Sequence, residues 1–443
     1  MSFHDLNIKK PVLQALDELG YNEPTPIQLN AFAPIMSGRD VLGLAQTGTG
    51  KTLAYLIPNL CLWKFSKEPH PQILIVVPTR ELVAQVVEEC EKLITNMNVV
   101  VTGVYGGANI NTQAAAILQG LDIVVGTPGR LVDLAANGSL QLKNIKRVVI
   151  DEVDETLSEG FQHQLDRLLQ LLPEKYQAQL FSATLSEEVA KFIEKNFNDP
   201  IRVEAAKAGT PIEKIKQEFY TVPNFLTKVN LLNSLLSSNE NFNKILVFVS
   251  SRAWADRLFS ELTAIHGEQV GVIHSNKSQN FRFNAVNSFQ AGEFRVLIAT
   301  DLIARGIDVS EVSHVINFDL PDSADNFIHR VGRTGRAGQV GHAITFISEN
   351  QLENWLQIQA TTKISLTEME IPSEVEIVDE LLEIEKPVVQ MKNVLVKLPK
   401  KSEAGPAFHE KKDKNKKVNV RYNHKKAMQD KYGKPKKRGS KKK

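Results

Sequence analysis

Short, nearly unbroken apolar runs recur at Val41–Leu44, Ile73–Val77, Ile123–Val125, Val148–Ile150 and Leu180–Phe181. Longer stretches of mixed polarity, such as Arg80–Leu93 and Gln162–Leu172, separate them. Brief uniform runs predict strands buried on both faces, and the mixed stretches predict amphipathic helices. Their alternation predicts a parallel sheet covered by helices on each side. A second series follows at Ile245–Val249, Val270–Ile273, Val296–Ile298, Val315–Phe318 and Ala343–Ile347. The pattern therefore predicts an α/β protein of two doubly wound domains in tandem. The small residues of Ala205–Pro211 predict a flexible joint. The expected organisation is a first domain over 30–205 preceded by 1–29, a linker over 206–215, and a second domain over 216–365. An acidic linker is expected over 366–399 and a basic tail over 400–443.

Composition narrows the class. Of 443 residues, 42% are hydrophobic, ample for two cores. No apolar stretch approaches the ~18 residues of a membrane span. Met1–Asp5 has neither the basic start nor the apolar run of a secretory leader. Two cysteines, Cys61 and Cys90, cannot make a disulfide framework and are expected as free thiols in a reducing, cytoplasmic setting. The net charge of +2 hides an asymmetry: residues 400–443 hold 18 Lys and Arg against 4 Asp and Glu. A tail at +14 leaves −12 for the first 399 residues. The tail has too little apolar area to offset its ordering entropy, so it is expected to be disordered and to attract a polyanion.

The run Ala45–Thr52 lies between a predicted strand and the helix-like Leu53–Leu60, which is where a phosphate-binding loop belongs. Ala45 stands where the general pattern has Gly. Backbone N–H groups of Gln46, Thr47, Gly48, Thr49 and Gly50 would surround phosphate oxygens, with a helix N-terminus behind them. Lys51 would reach the outer phosphates, and the Thr52 hydroxyl would hold Mg²⁺. Such a loop needs a carboxylate at a neighbouring strand end. After Val148–Ile150, Asp151 would position the metal, and Glu152 would orient and deprotonate the attacking water.

With these motifs the chain resembles the DEAD-box ATP-dependent RNA helicases, over Phe3 to about Ser348. The tetrad reads Asp151-Glu152-Val153-Asp154, with Val153 where the family has Ala. Uncompensated overpacking there costs ~1–3 kcal/mol, and neighbouring residues are expected to accommodate it. The resemblance implies two RecA-like domains that use ATP and Mg²⁺. Gly20–Gln28 resembles the family's adenine-reading motif, and 1–29 is read as that region: Gln28 would read the base edge and Phe3 would stack on it. Asp308 would face the ribose, and Arg333 and Arg336 would be arginine fingers. Asp154, Ser182, Thr184, His329 and Arg330 would couple the ATP side to the RNA side. Pro78, Thr79, Arg80, Gly106, Gly107, Thr127, Gly129, Arg130, Gln279, Arg282, Thr300 and Gly306 would hold the RNA backbone. Hydroxyls, exposed N–H groups and guanidinium all bind phosphate without reading sequence.

The implied machine is a cleft that closes on ATP and RNA together, bends one strand and separates a short duplex. Two alternatives remain open: an ATP-dependent RNA clamp or scaffold that unwinds poorly, and a DNA helicase of the same superfamily. The compact core fits a bacterial type, with ribosomal precursors, RNA decay or cold adaptation as settings. No membrane partner is expected.

Overall fold

Alternate residues of each strand enter opposite cores, as strand geometry requires. In the first half, Val41, Ile73, Ile75, Val125 and Val149 join one buried cluster. Their neighbours Leu42, Leu74, Val76, Val124 and Ile150 join the other. The second half repeats this: Ile245, Val247 and Ile298 on one face, Leu246, Phe248 and Leu297 on the opposite one. Both faces of each sheet are therefore covered, which is why the runs are apolar without alternation.

The computed structural model describes residues 1–385 and 424–433, apart from 47, 159, 205–214, 239–241, 302–311, 336–340, 363, 365 and 383–384. The first sheet contains β1 (Val41–Leu44), β2 (Ile73–Val76), β3 (Val101–Val104), β4 (Ile123–Gly126), β5 (Arg147–Ile150), β6 (Gln177–Ser182) and β7 (Ile201–Glu204). The second contains β8 (Lys216–Thr221), β9 (Ile245–Val249), β10 (Val270–Ile273), β11 (Val296–Thr300), β12 (His314–Asn317), β13 (His342–Ile347) and β14 (Thr367–Met369). The strand order is β3-β4-β2-β5-β6-β1-β7, and then β10-β11-β9-β12-β13-β8-β14. Adding seven to each label of the first order gives the second, so one topology occurs twice. Every ladder is parallel, for example Val41 opposite Gln179 and Ile245 opposite Val296.

Parallel strands send all their carboxyl ends to one edge, where ligands bind in sheets of this kind. The order then divides that edge. Loops after β5, β6 and β1 are neighbours, and loops after β3, β4 and β2 are neighbours. The first group carries the predicted phosphate and metal residues, and the second carries the predicted polymer contacts.

Residues 1–29, read as the adenine motif's region, pack on the first core, where Phe3, Val12, Leu16 and Ile27 are buried. The start of the expected acidic linker belongs to the second half: β14 pairs with β8, and Ile371, Val375 and Leu382 pack on its core. Its acidic side chains face outward or bind backbone, as where Glu385 accepts from Phe225 N at 2.7 Å. Within the basic tail, the described stretch His424–Tyr432 is helical. That stretch is rich in Lys, Ala, Met and Gln, all good helix formers, and it belongs to a separate unit spanning 387–443. The expected linker at 206–215 lies outside the described residues except for Ile215.

Helix Lys51–Leu62 is set on the sheet by a buried reciprocal amide pair. Asn59 donates to Gln179 at 2.8 Å and accepts from it at 3.1 Å. Beside it, a Cβ on Gly43 would lie 2.6 Å from the Phe181 ring. Gly43→Ala is therefore expected to cost about 1–3 kcal/mol. Chemical denaturation of the variant checks this; unchanged stability would show that the ring moves freely.

Candidate active site and nucleic-acid interface

The loop after β1 turns through left-handed Gly48 (φ 82°) and Gly50 (φ 91°) before entering helix Lys51–Leu62. Glycine is required at Gly50 on two counts: the φ, and a Cβ that would collide with the Gln28 amide. Gln28 Oε1 accepts from Thr25 N at 2.9 Å, and its Nε2 donates to Gly50 O at 3.1 Å. The expected base-reading amide is thus tied to the phosphate loop. An amide has a second proton and a second lone pair, so it retains capacity for a base edge.

Phe3, Gln28, Gly48, Gly50, Lys51, Thr52, Asp151, Glu152 and Arg333 line one cleft of about 380 Å³. Lys51 Nζ lies 2.8 Å from Glu152 Oε1, with both side chains buried. Burial alone would lower the Lys51 pKa, but the carboxylates of Glu152, Asp151 and Asp154 outweigh it and raise it. Asp151 is lifted above the usual carboxylate range by burial, despite Lys51. Tyr55 donates to Asp151 Oδ2 at 3.1 Å. Glu152 has φ 50°, in the left-handed region that non-glycine residues rarely adopt. Such strain costs on the order of 1–3 kcal/mol and persists where the surroundings enforce it. Glu152 Oε2 is buried and has no hydrogen-bond partner.

Asp154 Oδ2 sits at the centre of the coupling residues. It accepts from Ala183 N (3.1 Å), Thr184 N (2.8 Å) and Thr184 Oγ1 (3.0 Å). His329 Nε2, from the second half, lies 3.5 Å from the same oxygen. Burial would raise the Asp154 pKa, but His329, Lys51 and the Thr184 N–H hold it well below the usual range. Ser182 Oγ donates to Thr184 O at 2.7 Å, closing the turn. Val153 is fully buried in the second core cluster, among aliphatic side chains.

A second cleft of about 360 Å³ is lined by Pro78, Thr79, Arg80, Gly106, Thr127, Gly129 and Arg130 from the first half and Arg282 from the second. Gly107 (φ 79°) carries the Arg80 guanidinium where a Cβ would stand. Thr300 ends β11 and is buried. Gln279 opens helix Gln279–Gln290, and its buried Nε2 has no hydrogen-bond partner.

Three of the expected arginines also have protein acceptors. Arg130 donates to Gln113 Oε1 (2.6 Å) and to Ala108 O (2.9 Å), so it braces the loop beside Gly106. Arg282 pairs across the halves with Glu81 at 2.6 Å, both side chains 7% exposed. Arg330 has partners inside the second half. It grips Asp301, 2.7 Å from Oδ2, donates to Asp319 O at 2.6 Å, and stacks over Phe248. These contacts brace it inside the second half. Thr47, Gly306, Asp308 and Arg336 lie outside the described residues.

Sequence reasoning passed over Tyr55 and Glu155, and gave Glu81 and Asp301 no role of their own. Tyr55 was accessible: it follows Lys51 by one helical turn and so faces the same cleft. The others have partners far away in the chain, which a local pattern does not show.

Residues 25–192 match the DEAD/DEAH box helicase family, and residues 227–338 match the helicase conserved C-terminal domain. RNA helicase CrhR of Synechocystis is 37% identical over 89% of this chain and 79% of its own. ATP-dependent RNA helicase DeaD of Escherichia coli is 36% identical over 84% of this chain and 59% of its own. The structure of S. cerevisiae Dbp5 bound to RNA and ADP BeF3 superposes with a TM-score of 0.76. It is 28% identical, over 84% of this chain and 96% of that one.

Proposed function

Because the chain belongs to the DEAD-box helicase family, we propose that it is an ATP-dependent RNA helicase whose halves close on nucleotide and RNA and locally unwind short duplexes. One observation carries the reading: the cleft holding Lys51, Asp151 and Glu152 is completed by Arg333 from the other half. A group that stabilises charge on a transferring phosphoryl therefore arrives only with closure. Closure also forms the second cleft, where Arg282 joins the first half's loops. Two ligands that favour one state assist each other's binding, so RNA activates hydrolysis.

Within that scheme each residue has a task. Gln28 and Phe3 hold the base, and the loop from Gln46 to Gly50 and Lys51 hold the phosphates. A triphosphate offers Lys51 a competing anion, which releases Glu152 to act on water. Glu152 Oε2, buried and unpartnered, is the atom that accepts the proton. Asp154 reports across to Thr184 and His329. Mg²⁺ fits the donor set: Thr52 and Asp151 supply hard oxygens to one cleft, and burial disfavours a bare charged Asp151 carboxylate there. Bound there, the ion would neutralise charge on the phosphates. Asp308 and Arg336 are assigned to the ribose and the γ-phosphate through the family pattern alone. Val153 reads as a tetrad variant that the aliphatic cluster absorbs.

RNA is the partner through backbone contacts, with the +14 tail adding sequence-independent affinity. Ribosomal precursors and RNA-decay assemblies are settings that suit such an activity. No described helix is long and apolar enough to cross a membrane, and a cytoplasmic location fits the two free, buried cysteines. The test is steady-state ATPase with matched RNA and DNA strands. RNA is expected to stimulate and DNA to fail; equal stimulation would favour a DNA helicase instead.

A further inference from the structure

The face of the histidine latch turned away from Thr184 is closed by a residue with no role so far. Glu155 is 3% exposed and His329 5%. His329 Nδ1 lies 3.1 Å from Glu155 Oε1, while Nε2 lies 3.5 Å from Asp154 Oδ2. Both carboxylates belong to helix Val153–Ser158 of the first half, and the imidazole to helix Ala324–Val331 of the second. A carboxylate oxygen lies near each ring nitrogen, and negative charge on both sides favours the cationic ring over the neutral one. With the bulk of water excluded, two carboxylates around one cationic ring are strongly held, and the contact exists only when the halves meet.

We infer that Glu155 is a positioning residue for this reaction: it holds His329 in the orientation that lets Asp154 sense closure of the second half. The inference rests on the proposed RNA helicase reading. Glu155 itself lines neither the nucleotide cleft nor the polymer cleft, although its carboxylate lies within 4.8 Å of that of Glu152. Its effect therefore passes through His329 to Asp154 and Thr184, and from there to the loop between β6 and the nucleotide.

The charges around the ring support this arrangement. Glu152 adds a third, more distant carboxylate from the first half. On the rim, Lys191 is paired with Glu187 and Lys195 with Asp166, while Glu188 and Asp325 add negative charge. On the ring's own segment, Arg330 is committed to Asp301, and Arg333 lies in the nucleotide cleft. Burial opposes the imidazolium, but Asp154, Glu155 and Glu152 outweigh it, so the His329 pKa is raised. A raised pKa means the latch is at full strength below the ordinary histidine value of about 6.5. It weakens as pH rises through the higher value. Asp154 is depressed, so its share is lost only in acid.

The experiment compares wild type, Glu155→Gln and Glu155→Asp. ATPase is measured with and without a single-stranded RNA from pH 6 to 9, together with RNA affinity in a non-hydrolysable ATP analogue. Glu155→Gln keeps the shape and an acceptor but removes the charge. The alkaline loss of RNA-stimulated rate should then move to lower pH by about one unit, and RNA affinity should fall on the order of tenfold. ATP binding without RNA should be unchanged, and Glu155→Asp should restore part of both losses. A structural defect alone would not move the pH profile in one direction and leave ATP binding intact. A Glu155→Gln profile and RNA affinity equal to wild type would overturn the inference. Wild type showing no RNA stimulation would instead overturn the helicase reading.

Discussion

Arg333→Ala is expected to slow RNA-stimulated ATP hydrolysis by about 10³–10⁵-fold, the range that arginine fingers supply. Arg333 is 3% exposed and follows helix Ala324–Val331, whose His329 meets Asp154 of the first half. It lines the same cleft as Lys51, Thr52 and Glu152. A guanidinium brought in with the second half costs no reorganisation at the moment of reaction. Because the phosphate loop and the adenine-side residues lie on the first half, ATP affinity of the isolated protein should change little. Single-turnover hydrolysis with saturating RNA, beside nucleotide binding, separates the two effects. A loss below tenfold would make Arg333 a structural residue and move the fingers' role elsewhere.

Glu152→Gln should lose turnover by about 10²–10⁴-fold, the usual worth of a positioned base, while retaining ATP and RNA. The geometry explains the selectivity. The amide keeps the size and one acceptor, so the left-handed turn at φ 50° and the entry to helix Val153–Ser158 survive. What is lost is the basic oxygen and the ion pair to Lys51 at 2.8 Å. Losing that pair leaves Lys51 freer for phosphate, so nucleotide binding should hold or strengthen. The variant should accumulate as a stable complex with both ligands, seen as slowed RNA release in the presence of ATP. Wild-type turnover in the variant would remove Glu152 from the chemistry.

Both sheets were legible in the sequence where strands are central. Ile73–Val76, Val148–Ile150 and Ile245–Val249 are buried on two faces, and that burial writes an unbroken apolar run. The strands that escaped were β3, β7 and β14 at sheet edges, and β8 beside one. An edge position relaxes the need for burial, so Val101–Val104 and Ile201–Glu204 include exposed or half-exposed residues. The polar strand β8 is held by a pairing far along the chain, where Glu218 meets His342 at 2.6 Å. No local pattern encodes that meeting.

The loop after β1 was equally legible where backbone geometry sets the spacing, as at Gly48 and Gly50. The partners of long side chains were not. Arg130, Arg282 and Arg330 each carry a charge suited to phosphate, and sequence alone assigns the first two to RNA and Arg330 to coupling. In the folded chain Arg130 meets Gln113 and Ala108. Arg282 meets Glu81 and Arg330 meets Asp301. A buried guanidinium must find an acceptor, and three-dimensional proximity decides which. The partners of Glu81, Glu155 and Asp301 were invisible for the same reason from the acceptor side.

The account depends on assembly of the nucleotide site by closure, and a distance across the cleft measures this directly. Leu118 and Ile265 are 71% and 62% exposed on the two halves, and both native cysteines are buried. Dyes on Leu118→Cys and Ile265→Cys should report single-molecule energy transfer without marking the interior. The expected result is one narrow, closed distribution when RNA and a non-hydrolysable ATP analogue are both present, and a different or broader one with either alone. The same closed distribution in buffer without ligands, accompanied by full ATPase without RNA, would contradict the account.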